Sequence, residues 1–270
     1  MLPELISYLT TPCPSYARKL GYLKEIIAIQ ARFQRVQQAW LPHTQHTKQF
    51  ILHIAKQCQQ SRKVLVLGSG VLADIPIEQL AQQFEHVILL DLAHLRPVRR
   101  HVKKYPNVHL QICDILGLQE SLLNCRLNNL ADLQTLTPNF PTLESDTDLV
   151  ISANILSQLP ILPRNYIEKV SPHLAPHLDD WCRTIIQQHV YYLSQLPCRS
   201  CLITDTKHTL MNQRHEIQYE VDMLHGVELP KAQRHWSWQI APQGEMPNNQ
   251  MLQTRVFAYS PTKNFIEPHV

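Results

Sequence analysis

Gly68, Ser69 and Gly70 stand between the apolar run KVLVL and a second apolar stretch that leads to Asp74 and Pro76. Without a Cβ, a glycine turn lets a bound group lie directly against backbone N–H groups, and a helix starting beyond it adds a partial positive charge. The chain has only 6 glycines, so two in one turn are informative. The next apolar run, HVILLD, ends in Asp91, and the one after it, VHLQICD, ends in Asp114. An acid about twenty residues beyond such a turn has the spacing at which a carboxylate accepts hydrogen bonds from a ribose diol. Both hydroxyls can be served, because an ionised carboxylate offers two acceptor oxygens and no donor. Each feature alone has a plainer account: the glycines as a tight strand-to-helix turn, Asp91 as the cap of the helix that follows. The dinucleotide fingerprint GxGxxG is incomplete, with Leu72 and Ala73 where a third glycine would be sought. In sequence order, a glycine turn followed by two strand-end acids describes one ligand-binding edge.

The elements that would position these residues follow from periodicity. Tyr22, Ile26, Ile29, Phe33, Val36 and Trp40 recur at alternating steps of four and three, which is one apolar stripe of a helix. Pro42 is expected to end that helix, and a second one carrying Phe50, Ile51, Ile54 and Cys58 to follow. Residues 1–60 therefore read as an N-terminal helical cap that must bury its stripe on what comes next. Beyond Ser61 the chain alternates the runs KVLVLG, HVILLD, VHLQICD, DLVISAN and SCLITD with stretches long enough for a helix each. Continuous Val/Ile/Leu runs spaced this way predict strands buried on both faces, and hence an α/β fold with a doubly wound, mostly parallel sheet. RHWSWQI and TRVFAYS, separated by a polar segment with Pro242, Gly244 and Pro247, read as an antiparallel hairpin. Residues 118–147 form the most loop-like insertion, 61–262 the main domain, and 263–270 a C-terminal tail.

The series VLVLGSG, VILLD, QICD and DLVISANILSQLP resembles the successive motifs of class I S-adenosylmethionine-dependent methyltransferases. The terminal hairpin is similar to the antiparallel pair that closes their seven-stranded, Rossmann-like sheet. The resemblance spans residues 62–260 and implies S-adenosyl-L-methionine as cofactor and S-adenosyl-L-homocysteine as product. It would put Gly68, Ser69 and Gly70 against the methionine portion, Asp91 on the ribose and Asp114 at the adenine amino group. Ser152, Ala153 and Asn154 would lie beneath the sulfonium. Two positions depart from the pattern: Val66 stands where the family carries an acid, and Leu72 where it often has a third glycine. Asp74 is a candidate to replace the missing acid at the cofactor's amino end.

Methyl transfer from a sulfonium is an in-line displacement, so the protein mainly aligns nucleophile and methyl group and sometimes removes a proton. Loops after the fourth and fifth strands should face the acceptor, which makes Asn154 and Asp205 the catalytic candidates, with Ser157 and Gln158 beside them. Asn154 and Ser157 equally suit the cap of a helix near Ile155, and Asp205 a strand-end turn. Asn154 lacks the following Pro-Pro-aromatic sequence of enzymes that methylate amino groups of nucleic acids, so a small-molecule acceptor is expected. Two alternatives stand beside this reading. A catalytically silent binding or assembly protein of the same fold would account for Val66 and Leu72, and a NAD-dependent oxidoreductase would share the glycine turn and Asp91.

Composition narrows the field further. A formal charge of +3 gives no general affinity for nucleic acid. The basic run RPVRRHVKKYP could touch phosphates, but it lacks interleaved aromatics and fits a solvated helix face. The histidine pairs His43/His46, His173/His177 and His208/His215 sit in no HExxH and beside no cysteine pair, so no metal is expected. Trp236 and Trp238 share one face of a strand and suit packing against a helix. The 7 cysteines lack CxxC spacing and fit reduced thiols. No signal-peptide pattern opens the chain and no apolar run nears the roughly 18 residues of a membrane span, so a cytoplasmic protein without membrane contact is expected. Neither a nucleophile elbow nor a P-loop is present.

Overall fold

The apolar runs become one sheet of eight strands in the computed structural model, which describes residues 2–263 and 265. They are β1 (Lys63–Leu67), β2 (His86–Asp91), β3 (Val108–Ile112), β4 (Thr147–Ala153), β5 (Arg199–Met211), β6 (Ile217–Asp222), β7 (Arg234–Ala241) and β8 (Met251–Tyr259). Their order is β3-β2-β1-β4-β5-β8-β7. Neighbours from β3 to β5 are parallel, and β8 and β7 close the sheet antiparallel, as the sequence predicts. The eighth strand was not expected. β6 pairs antiparallel with the far half of β5, Lys207 to Met211, where β5 has run past the end of β4. Its alternating Ile217, Tyr219 and Val221 are a period-two signal that would have revealed it.

Side-chain alternation explains why these strands read as continuous apolar runs. Leu65, Leu67, Leu90, Val150 and Leu202 face one layer, which includes Ile167 of α8 (Ile161–Val170) and Trp181, Ile185 and Val190 of α9 (Leu178–Gln195). Val64, Val66, Leu89, Ile151 and Ile203 face the other. That layer holds α4 (Ile77–Gln83), α5 (Arg96–Val102) and the second half of α3 (Tyr22–Ala55), whose Phe50, Ile51 and Ile54 are buried. Both faces of the sheet are thus covered, the condition for a parallel sheet. In α5 only Val98 and Val102 turn inward; Arg96 and Arg100 face outward.

The N-terminal helices α1 (Leu2–Thr10), α2 (Ser15–Lys19) and α3 lead onto the carboxyl edge of the sheet. Leu23, Ile26 and Ile27 pack on Ala93 and Leu95 in the loop after β2, with Val71 of the glycine turn against the same cluster. Pro42 does not end α3, contrary to expectation. The 34-residue helix runs through it, and the irregularity sits upstream at Val36, with φ −115° and ψ 22°. A proline removes one hydrogen bond and crowds the preceding turn, which here bends rather than breaks because the helix is pinned on both sides. One pin is β7, where the Trp40 indole donates to the Ile240 carbonyl at 3.0 Å and packs edge-on against Trp238 at 5.0 Å.

The 118–147 insertion carries two short helices, α6 (Gln119–Asn124) and α7 (Leu130–Gln134), and is otherwise irregular up to β4. Of the tail 263–270, only residues 263 and 265 are among those described.

Candidate active site

The strand order reverses between β1 and β4, and in such sheets the crevice for a ligand opens beyond the carboxyl ends at that point. The glycine turn leaves β1 there and Asn154 leaves β4. Gly68, Gly70 and Leu72 all have positive φ, at 66°, 54° and 61°. The two glycines have different reasons to be glycine. A Cβ on Gly68 would lie 2.4 Å from Cγ2 of Ile155, so the close approach of the β4 loop requires it. A Cβ on Gly70 would meet nothing nearer than the Gly68 carbonyl oxygen at 3.9 Å, so the space over Gly70 is open. Leu72 adopts the conformation a third glycine would adopt more easily, at a cost of about 1–2 kcal/mol. Ser69 ties the turn to β2 through its N–H and the Leu90 carbonyl at 3.0 Å, while its own buried hydroxyl has no partner.

Asp91 is wired into this turn. One carboxylate oxygen accepts from the Gly70 N–H at 2.7 Å and the other from the Leu92 N–H at 2.7 Å. Burial pushes its pKa up, against the pull of these backbone donors. The Ala93 N–H adds a third backbone donor to the same carboxylate. Asp114, beyond β3, accepts from the Leu116 N–H at 3.1 Å and the Gln119 N–H at 2.9 Å, which starts α6. Burial raises it as well. Tyr22 lies close enough that burial and then the Asp114 charge hold its phenol well above the ordinary value, and Tyr16 is raised by the same two causes. The beginnings of α2 and α3 thus bring two phenols to Asp114.

At the end of β4 a polar chain crosses from loop to cap. Asn154 has φ 57°, donates its N–H to the Ile203 carbonyl at 2.8 Å and accepts on its carbonyl from Gln158 at 2.7 Å. Its amide NH2 donates to the Asp74 carboxylate and lies 3.2 Å from Nε2 of His43. The amide oxygen is buried without a partner. His43 in turn accepts on Nδ1 from the Trp236 indole at 3.0 Å and stacks on Trp238 at 3.9 Å. Burial depresses His43 to about 3, so the ring is neutral, and burial raises Asp74. The two tryptophans pack against a helix as expected, and they also fix the histidine.

Asp205 holds a second cluster. It is 4 % exposed, accepts from the Ser157 hydroxyl and contacts Nε2 of His208 at 2.7 Å. Residues three apart on a strand normally face opposite ways; a bulge between Asp205 and Lys207 brings His208 back to the side of the acid. Ser157 and His208 both bind the carboxylate rather than each other, so this is not a hydrolytic triad. The helix expected near Ile155 is a single 3₁₀ turn, Leu156–Gln158.

Other candidates lie apart. Ser152 points to the α9 face, where its hydroxyl meets Nε2 of His189 at 2.9 Å, and Ala153 is buried on the opposite face among the α3 and α4 side chains. His43, His208 and Tyr22 escaped sequence reasoning as site residues. His43 lies 111 positions from Asn154, and no local pattern connects them. His208 was visible only as a possible metal spacing. Among the described residues no group of three or more His, Cys, Asp or Glu is placed to hold a metal ion, and no helix is long and apolar enough to cross a membrane.

Strand order and the glycine turn at its reversal define a Rossmann-like α/β protein with a C-terminal antiparallel closure. No protein-family model and no curated protein matches the chain. Among solved structures it is similar to the N-methyltransferase NodS from Bradyrhizobium japonicum WM9, in complex with S-adenosyl-L-homocysteine. The identity is 16%, over 79% of this chain and 85% of that one, with a TM-score of 0.36. It is also similar to 1,6-didemethyltoxoflavin-N1-methyltransferase from Burkholderia thailandensis, at 11% identity over 88% and 90% of the chains and a TM-score of 0.35. For the 23S rRNA methyltransferase ErmE the figures are 11% identity, 82% and 71% coverage, and a TM-score of 0.28. Likenesses this distant leave the chemistry to be decided at the site itself.

Proposed function

We propose that the protein binds S-adenosyl-L-methionine at the carboxyl edge of the sheet and transfers its methyl group to a small-molecule acceptor. The observation that carries this reading is the Gly70 turn, open to approach and hydrogen-bonded to the strand-end acid Asp91, beside a buried Asn154 amide with an unpartnered atom. These residues fit a nucleoside with a polar tail. Gly70 admits the ligand to the backbone, the Asp91 carboxylate accepts from the ribose, and Asp114 accepts from the adenine amino group. Tyr16 and Tyr22 wall the base. When bound, the cofactor supplies an electrophilic methyl group on a sulfonium.

On the acceptor side, Asp205 holds Nε2 of His208, which leaves Nδ1 to take the acceptor's proton; the side chain is 21% exposed and reachable. Calorimetric titration of the folded protein tests the reading. Saturable binding of S-adenosyl-L-homocysteine, with none of NAD, is expected, and binding of NAD alone would replace it with an oxidoreductase. Tritiated methyl groups should then appear in small molecules rather than in RNA or protein. A catalytically silent binding protein is the second reading, favoured by Val66, which is 0% exposed and leaves β1 without an acid at the site. Cofactor binding without transfer to any acceptor fraction would select it.

A further inference from the structure

Between Asp91 and Asp114 the chain has no acid, while Arg96, Arg99, Arg100, Lys103 and Lys104 place five fixed positive charges there, more than the formal +3 of the whole chain. The fold gathers all five on α5 and the turn that follows it, beside β3 at the edge of the sheet. Among the described residues none of them has a salt-bridge partner. Arg96 and Arg100 face outward, as a solvated helix face requires. Arg99 and Lys103, four residues apart and so on one side of the helix, line a cleft of about 470 Å³ between α5 and β3. Like charges at that spacing repel, and an anion between them reverses the sign of the interaction.

The lining of the cleft is of two kinds. Arg99, Lys103 and His109 supply polar hydrogen-bonding groups, Tyr105, Val108 and Leu110 supply apolar surface, and no carboxylate is present. Arg99 is half-buried, and its Nε–H is buried without an acceptor. A charged donor taken from water with no partner is unfavourable, so an anion that enters the cleft beside it is favoured. Two fixed cations match a phosphate monoester, which carries about 1.5 to 2 negative charges and three strong acceptor oxygens at neutral pH. A carboxylate would leave one of the two cations without a counter-charge. We propose that the cleft between α5 and β3 is a binding site for a small phosphate monoester, with the phosphate held by Arg99 and Lys103 and an apolar body lying on Tyr105, Val108 and Leu110.

This site is separate from the one at the carboxyl edge. Val108 and Leu110 belong to the first half of β3, and Lys103 follows the end of α5, so the cleft lies toward the amino ends of the parallel strands, away from the glycine turn. Its volume is that of a small-molecule pocket. An extended polyanion such as RNA would draw on the outward Arg96, Arg100 and Lys104 as much as on Arg99, and an apolar cleft floor would add little to its phosphate contacts.

Calorimetric titration with phenyl phosphate tests the site, with phenol and inorganic phosphate as the two halves of the probe. Phenyl phosphate should bind saturably, at least about tenfold more tightly than inorganic phosphate, and phenol should not bind. Its affinity should be unchanged in excess S-adenosyl-L-homocysteine. Arg99→Gln and Lys103→Gln should each weaken it by at least about tenfold, and Arg100→Gln, on the outward face, by less than about twofold. Amide NMR shifts of the wild-type protein should be confined to residues 99–110, so the site can be read even if a variant misfolds. Absence of saturable binding, shifts elsewhere in the chain, or equal losses in Arg99→Gln and Arg100→Gln overturn the inference. Tighter binding of an oligouridylate, growing with its length, would assign the face to RNA instead, and a dimer in sedimentation that excludes phenyl phosphate would assign it to a second copy of the chain; either result overturns the inference.

Discussion

Gly68 and Gly70 look equivalent in the sequence and are not equivalent in the molecule. Gly68→Ala puts a methyl group into Ile155 at a positive φ, and it should cost about 2–5 kcal/mol of stability, the sum of strain and overpacking. Gly70→Ala meets open space and should cost only the conformational strain of about 1–2 kcal/mol, with its larger effect on nucleoside affinity. Urea denaturation beside calorimetric titration separates the two; equal stability losses would mean that the turn carries no ligand surface. Asp91 also has a double role that its strand-end position did not reveal. Because it holds the Gly70 and Leu92 N–H groups, Asp91→Ala should lower stability as well as affinity, each by about 1.5–3 kcal/mol. An affinity unchanged in a folded Asp91→Ala would assign the acid to the turn alone.

At the scale of elements, α3 links the fold to the site. Its second half completes one layer of the core, its first half lies over the glycine turn, and between them Trp40 and His43 lock onto β7. Trp40→Ala should therefore cost about 3–5 kcal/mol in urea denaturation. It should also loosen His43 and raise the dissociation constant for S-adenosyl-L-homocysteine, although Trp40 contacts none of the residues assigned to the ligand. A stability loss with unchanged affinity would show that His43 keeps its place without the helix anchor. The β strands were legible because Val/Ile/Leu runs of strand length have few other uses. The continuation of α3 through Pro42 was not, since a proline reports only the local loss of a hydrogen bond and not the packing that holds the helix together.

At the scale of the whole molecule, the buried histidines set the response to acid. His43 and His189 are both depressed to about 3 by burial, below their value in the unfolded chain. Their contribution to stability is fully present above about pH 6.5 and is lost as pH falls toward 3, because only the unfolded chain takes up the protons. Near pH 5.5 each should cost about 1.4 kcal/mol relative to neutral pH. The raised carboxyls of Asp74, Asp91 and Asp114 act in the opposite sense, since the folded state keeps their protons longer. His189→Asn isolates one histidine: it should remove about 1.4 kcal/mol of the loss between neutral pH and about pH 5.5 in urea midpoints, and an unchanged difference would mean that the ring is solvated.

The sequence by itself determined the layered α/β fold, the antiparallel closure by the final hairpin, and the edge at which a ligand would be met. These depend on which residues alternate, which runs are apolar and where glycine and acids end a strand, all of which are local properties. Only the tertiary structure decided that Asp74 and Asn154 share an amide contact, that His43 joins them to Trp236, and that a bulge turns His208 toward Asp205. Those partners come from α3, β4, β5 and β7, and their protonation follows from burial and from the donors they face. Neither quantity exists along an unfolded chain.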